Sequence, residues 1–132
     1  EMVFENYMAK NFYNGNRTIY QGNMYGFIEP LEATSLVMYD QICRQSWDGM
    51  FGLNDWESCN EKVKTEMERF QNIILWHYQY GSKYDTSFWE YAKSLPFNPD
   101  KKFERMVSNP GGGEKYGHWK NWNFDNWRVG VE

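Results

Sequence analysis

Between Asp55 and Tyr80 the apolar residues Val63, Met67, Phe70 and Ile74 recur at steps of three and four, and His77 or Tyr78 continues the series. Only a helix returns every third or fourth side chain to the same face, so this spacing predicts one long helix with one buried stripe. In a chain of 132 residues, which has room for one modest core, such a helix dominates the packing. Whatever else folds must cover its stripe.

The covering material is aromatic. Phe, Trp and Tyr make up 20% of the chain, yet mean hydropathy is only −0.86, so rings rather than aliphatic side chains must supply much of the core. Rings of this kind either pack, burying large areas with few rotors, or line a pocket for a flat ligand. Charge narrows the partners. The 18 acidic residues outnumber the 14 basic ones, and no polybasic run is available to track a phosphate backbone, which argues against nucleic acid. Ile73-Ile74-Leu75-Trp76, the longest strongly apolar stretch, is too short to span a bilayer, and the N-terminus lacks the charged-then-apolar order of a signal peptide. No membrane association and a cytoplasmic location are expected. Cys43 and Cys59 have no companion Cys or His at zinc-ligand spacing, so they are expected to be free thiols and no metal site is expected.

Three regions follow along the chain, within a single domain or a fragment of one: residues 1–28, 29–110 and 111–132. In the first, Arg17-Thr18-Ile19-Tyr20 leans toward a strand and ends in a turn bearing Gly22 and Gly26. In the second, Pro30 or Leu31 opens a helix to Trp47, because proline suits a first helical turn where its missing N–H costs nothing. Gly49 and Gly52 then break the chain before the long helix. A short helix over Thr86–Ser94 has Asp85 or Thr86 as N-cap and Pro96 beyond it. Asn98, Pro99 and Asp100 then read as N-cap, first and second positions of a further helix ending at Asn109-Pro110. The third region is a Gly111-Gly112-Gly113 loop, which lacks nucleotide-binding spacing, followed by a tail holding Trp119, Trp122, Phe124 and Trp127 that reads either as a strand-like edge or as an irregular cap. The fold class is therefore mainly α, with a short N-terminal strand.

The stretch richest in chemistry is Gly26-Phe27-Ile28-Glu29-Pro30-Leu31-Glu32-Ala33-Thr34-Ser35-Leu36. A helix's first turn carries unpaired N–H groups at the positive end of its dipole, so the backbone near Thr34 and Ser35 is suited to an anion. Glu29 and Glu32, one turn apart, either complement that dipole or leave one carboxylate to face a pocket. The whole stretch resembles the G-F-x-E-P-L-E-[SA]-T-[SG] motif of flavin-dependent tryptophan halogenases. The resemblance implies that Glu32 is the catalytic glutamate beside the halogenation site, and that the backbone amides of Thr34 and Ser35 hold the halide.

A second correspondence lies at His77-Tyr78 and Phe88-Trp89, which resemble an H-Y pair and an F-W pair eleven positions later in the same family, where such residues border the substrate indole. Together the matched stretches run from about Gly22 to Trp89. Weaker agreement comes from Glu68-Arg69-Phe70 and Asp85. The sequence departs from the family pattern at Met24-Tyr25, where two small residues usually precede the Gly-Phe, and at Lys83, where Arg is common. Within these 132 residues the G-x-G-x-x-G of the flavin-binding half and the W-x-W-x-I-P segment do not occur, and no lysine has the surroundings of the family's catalytic one.

What the resemblance implies is the C-terminal, substrate-side helical portion of a halogenase. In the complete enzyme, reduced FAD supplied by a flavin reductase, together with dioxygen, oxidises halide to a hypohalous species that reaches an electron-rich ring. The expected partners are an aromatic small molecule such as an indole, the FAD-binding N-terminal half and the flavin reductase. Neither FAD nor halide is expected to bind this chain tightly on its own. The alternatives are a non-catalytic helical binding module and part of a related flavin monooxygenase. Glu32 is expected in the first turns of a helix, facing a cavity, with His77, Tyr78, Phe88 and Trp89 converging on one concave surface opposite it.

Overall fold

The computed structural model describes residues 6–28, 34–81, 84–109, 113, 115–117, 119–120 and 123–127. The chain is mainly helical, with few and short strands. In order, β1 is Tyr7–Met8, β2 is Gly26–Phe27, α1 is Thr34–Met50, α2 is Trp56–Tyr80, α3 is Ser87–Ser94, α4 is Lys101–Ser108, β3 is Lys115–Tyr116 and β4 is Trp119–Lys120. The chain divides into two compact units, residues 1–68 and 69–132, with the boundary inside α2.

In the first unit, β1 and β2 pair antiparallel, Tyr7 opposite Phe27 and Met8 opposite Gly26. The strand expected over Arg17–Tyr20 does not form. Arg17 takes a left-handed φ of 57° and Gly15 one of 84°, which fold this segment into a reversal closed by a single Tyr13–Ile19 bridge. Asn60 on α2 clamps the reversal. Its amide donates to the Tyr13 carbonyl at 3.2 Å and its oxygen accepts from the Tyr13 N–H at 3.1 Å, while the Tyr13 ring stacks on Trp56 at 3.8 Å. Phe12, Ile42, Cys59 and Val63 close the core beneath.

α1 continues past the expected end at Trp47, through Gly49, to Met50. The reason is packing: a Cβ on Gly49 would stand 2.6 Å from the Trp56 ring, so this glycine lets α1 and Trp56 approach and does not break the helix. Termination falls to Gly52, at φ +69°. The N–H of Gly52 donates to the Gly49 carbonyl and that of Leu53 to the Asp48 carbonyl, the paired bonds of a Schellman cap. α2 then starts from Asp55, whose carboxylate accepts from the Ser58 N–H at 2.8 Å and the Ser58 hydroxyl at 2.7 Å. These bonds lower the Asp55 pKa.

In the second unit Phe70 and Ile74 of the predicted stripe are buried, and in the first Val63 and Met67 are. Rings supply most of the cover. Phe103 meets Trp76 at 5.9 Å, Phe124 at 5.5 Å and Tyr116 at 5.3 Å, each nearly perpendicular, the geometry that sets a ring edge against a π face. α3 ends where Leu95 turns extended ahead of Pro96. Its dock on α2 is Gln79, whose amide donates to the carbonyls of Ala92 and Leu95 at 3.2 and 2.7 Å. α4 begins two residues later than Asn98 would place it. Asp100, extended at ψ 161°, is the N-cap, and its side chain accepts from the N–H groups of Lys102 and Phe103. Two N–H bonds to one carboxylate outweigh the cap that Asn98 offered. The aromatic tail forms a hairpin, Lys115 opposite Lys120 and Tyr116 opposite Trp119, followed by a helical turn at 123–127.

Cys43 is exposed and Cys59 buried, and both are free. Among the described residues no helix is long and apolar enough to cross a membrane, and no cluster of three His, Cys, Asp or Glu could hold a metal ion.

Candidate functional site

Residues 22–28 and the start of α1 frame a cavity in the first unit. Gly22, Tyr25, Gly26 and Ile28 line one side, Thr34, Ser35, Met38, Tyr39 and Ile42 the other, with Met67 beneath, and the volume is about 290 Å³ counting the open mouth. The glycines let the backbone come this close. A Cβ on Gly26 would lie 2.7 Å from Met67 Cε and 2.8 Å from the Tyr7 carbonyl oxygen, while Gly22 sits at a left-handed φ of 58° with the Tyr39 ring against it. Tyr39 fastens this turn to α1, its hydroxyl donating to Asn23 Oδ1 at 3.3 Å and its carbonyl accepting from the Gln21 amide at 3.2 Å.

Thr34 is 1% exposed, and its hydroxyl finds no hydrogen-bond partner among the described residues. A buried donor left unpaired is uncommon and marks a place where a polar guest fits. Ser35 adjoins it. Both therefore line one cavity at the first described turn of α1. Glu32, together with Glu29, lies outside the described residues, so its expected orientation toward a cavity belongs there too. The Met24-Tyr25 departure resolves in opposite directions: Met24 is 70% exposed, whereas Tyr25 is 2% exposed and part of the cavity wall. Burial, reinforced by Glu68 and Glu61, pushes the Tyr25 phenol up to about 12, so it stays protonated at neutral pH. Sequence reasoning registered Tyr25 only as a bulky departure. Its position immediately before the motif was the available signal for a wall residue.

In the second unit the structure brings three of the four aromatic candidates together. The Tyr78 ring lies 5.9 Å from Phe88 and 5.8 Å from Trp89, and Phe88 lies 5.0 Å from Trp89, all edge to face. Phe88 remains half exposed. His77 turns elsewhere, because adjacent helical residues point about 100° apart. Its ring meets Trp76 and Trp127 at 5.2 and 5.1 Å, and Nδ1 lies 2.8 Å from the Ile73 carbonyl. A carbonyl oxygen only accepts, so Nδ1 is the donor in that contact, and Nε2 is buried without a partner among the described residues. Lys83 lies outside the described residues, and Asp85 is exposed.

The family model of the tryptophan halogenases matches residues 1–129. The chain belongs to the tryptophan halogenase family. Solved structures agree on the fold. A tryptophan C-6 flavin-dependent halogenase (chlorinase) from taromycin biosynthesis superposes with a TM-score of 0.69 at 18% identity, over 94% of this chain and 27% of its own. A thermophilic tryptophan halogenase from Streptomycin violaceusniger gives 0.67 at 20% identity over 95% and 27%. A flavin-dependent halogenase from Brevundimonas sp. BAL3 gives 0.66 at 22% identity over 94% and 27%. The chain thus spans about 27% of the length of each of these halogenases. No curated protein matches the sequence.

The family implies FAD and a halide, and the described residues fit the two unequally. The cavity has room for a guest the size of a water or a single ion, not for a drug-sized ligand. A dinucleotide needs far more, and the glycine fingerprint that would cradle its pyrophosphate does not occur in these 132 residues.

Proposed function

We propose that this chain is the C-terminal, substrate-side part of a flavin-dependent halogenase acting on an indole or another electron-rich aromatic ring, inactive without the FAD-binding part of the fold. The observation that carries this reading is the cavity at the start of α1, where the buried, unpartnered Thr34 hydroxyl and Ser35 lie two and three positions after Glu32. Reduced flavin, delivered by a flavin reductase, supplies the oxidising equivalent from dioxygen when bound.

The chain's own residues would do the rest. The amides of Thr34 and Ser35 hold the halide at the helix end. Glu32 orients the halogenating species, or accepts the proton the ring loses as aromaticity returns. Tyr78, Phe88 and Trp89 present edges and faces suited to a flat ring. His77, set against Trp127, borders this group at most through its neighbour.

The rival is a binding module that works through a partner chain. A complete protein containing these residues, given reduced flavin, dioxygen, bromide and tryptophan or indole, separates the readings by mass spectrometry. Replacement of ring hydrogen by bromine supports halogenation. Gain of one oxygen instead assigns a flavin monooxygenase. An unaltered ring that is nevertheless bound leaves the module.

A further inference from the structure

Tyr25 and Thr34 share an unusual condition. Tyr25 is 2% exposed and Thr34 1%, both line the same cavity, and each ends in a buried hydroxyl without a hydrogen-bond partner among the described residues. Native proteins seldom leave one such group unpaired. Two on one small cavity imply a guest that accepts hydrogen bonds. The family pattern has a small residue where Tyr25 stands, so this hydroxyl is a feature of this chain.

We propose that Tyr25 is a further halide ligand, its phenol O–H donating to the same ion that the Thr34–Ser35 turn holds. The proposal rests on the halide reading of that turn given above. A halide ion carries no proton and accepts only, so it suits converging O–H and N–H donors; a carboxylate or phosphate would fill more of the space between Gly22 and Met67. With its pKa pushed up to about 12, Tyr25 remains a donor at neutral pH. Glu61 and Glu68 oppose an anion near this hydroxyl, but both stand at exposed positions of α2, where water and salt screen them. The backbone holds the phenol in place. The Tyr25 carbonyl accepts from the Ala9 N–H at 2.6 Å and the Tyr25 N–H donates to the Gly22 carbonyl at 3.0 Å.

Chloride-35 NMR line broadening on a complete protein containing these residues, with gluconate as the replacement anion, tests this directly. Wild type should give excess chloride linewidth that saturates and is displaced by bromide. Thr34→Val should weaken it, and Tyr25→Phe should weaken it by at least about tenfold, the factor one hydrogen bond to a charged group is worth. In gluconate, Tyr25→Phe should melt at or above the wild-type temperature, because it removes an unpaired buried hydroxyl, and chloride should raise the wild-type Tm more than the variant's. If Tyr25→Phe binds chloride within twofold of wild type while Thr34→Val does not, Tyr25 is no ligand and the halide reading stands. If wild type shows no excess linewidth, both fall. A Tm in gluconate several degrees below wild type for Tyr25→Phe would mean that the hydroxyl already has a partner, and would also overturn the proposal.

Discussion

The Tyr116 hydroxyl donates to Asp100 Oδ2 at 3.1 Å while Asp100 Oδ1 accepts from the first N–H groups of α4. One carboxylate thus caps a helix and anchors the terminal hairpin. Asn72 on α2 completes the node by donating to the same phenol at 3.1 Å, and the Arg69 guanidinium lies 5.4 Å from the ring centre.

Asp100→Ala removes the cap and one of the phenol's two partners together. A lost N-cap costs about 0.5–2 kcal/mol, and a weakened buried hydroxyl adds roughly 1 kcal/mol. Urea denaturation should show a loss of about 1.5–3 kcal/mol. Asp100→Asn, which keeps an oxygen for the cap, should lose less than Asp100→Ala. Equal losses would mean that the carboxylate is not shared in this way.

Burial pushes the Tyr116 phenol up to about 12, as it does Tyr25, from an ordinary value near 10. The folded state therefore holds these protons at a pH where the unfolded chain has released them, and its stability falls as alkali increases. Stability from these groups should be fully present below pH 10 and lost progressively between pH 10 and 12. Tm measured across that interval in wild type and Tyr116→Phe checks it, since the variant should decline less steeply.

Trp89 meets Tyr78 and Phe88 but lies at a half-buried surface position. In a complete enzyme Trp89→Ala should weaken indole binding by about 1–3 kcal/mol, the scale of a lost aromatic wall, with little change in Tm. A large fall in Tm with affinity retained per folded molecule would make Trp89 a packing residue only.

Helix periodicity made α2 and its buried face legible in the sequence, because Val63, Met67, Phe70 and Ile74 obey a purely local rule. Helix ends were less so. Gly49 reads as a breaker until Trp56 is seen to occupy the space where a Cβ would stand, and Asn98 reads as a cap until Asp100 is seen bonding two amides and a distant tyrosine. Both outcomes depend on residues far away in sequence or on competition between neighbours. The same holds for the Arg17–Tyr20 segment, whose β-leaning side chains yield to the left-handed backbone at Gly15 and Arg17. At the candidate site, the motif pointed to Thr34 and Ser35 as residue types but could not show that the Thr34 hydroxyl is buried and unpaired. His77 and Tyr78 look equivalent as a pair in sequence, and the helix sends them to different neighbours.

Glu32→Gln in a complete enzyme containing these residues tests the central claim most directly, because glutamine keeps the shape of the side chain and removes its charge and basicity. If Glu32 acts on the halogenating species or on the departing ring proton, kcat for bromination of tryptophan or indole should fall by at least about a hundredfold, the lower end of what a positioned acid or base contributes, while bromide affinity changes by less than about twofold, since the backbone amides of Thr34 and Ser35 remain in place. A kcat within about threefold of wild type, with halide affinity unchanged, would contradict the assignment.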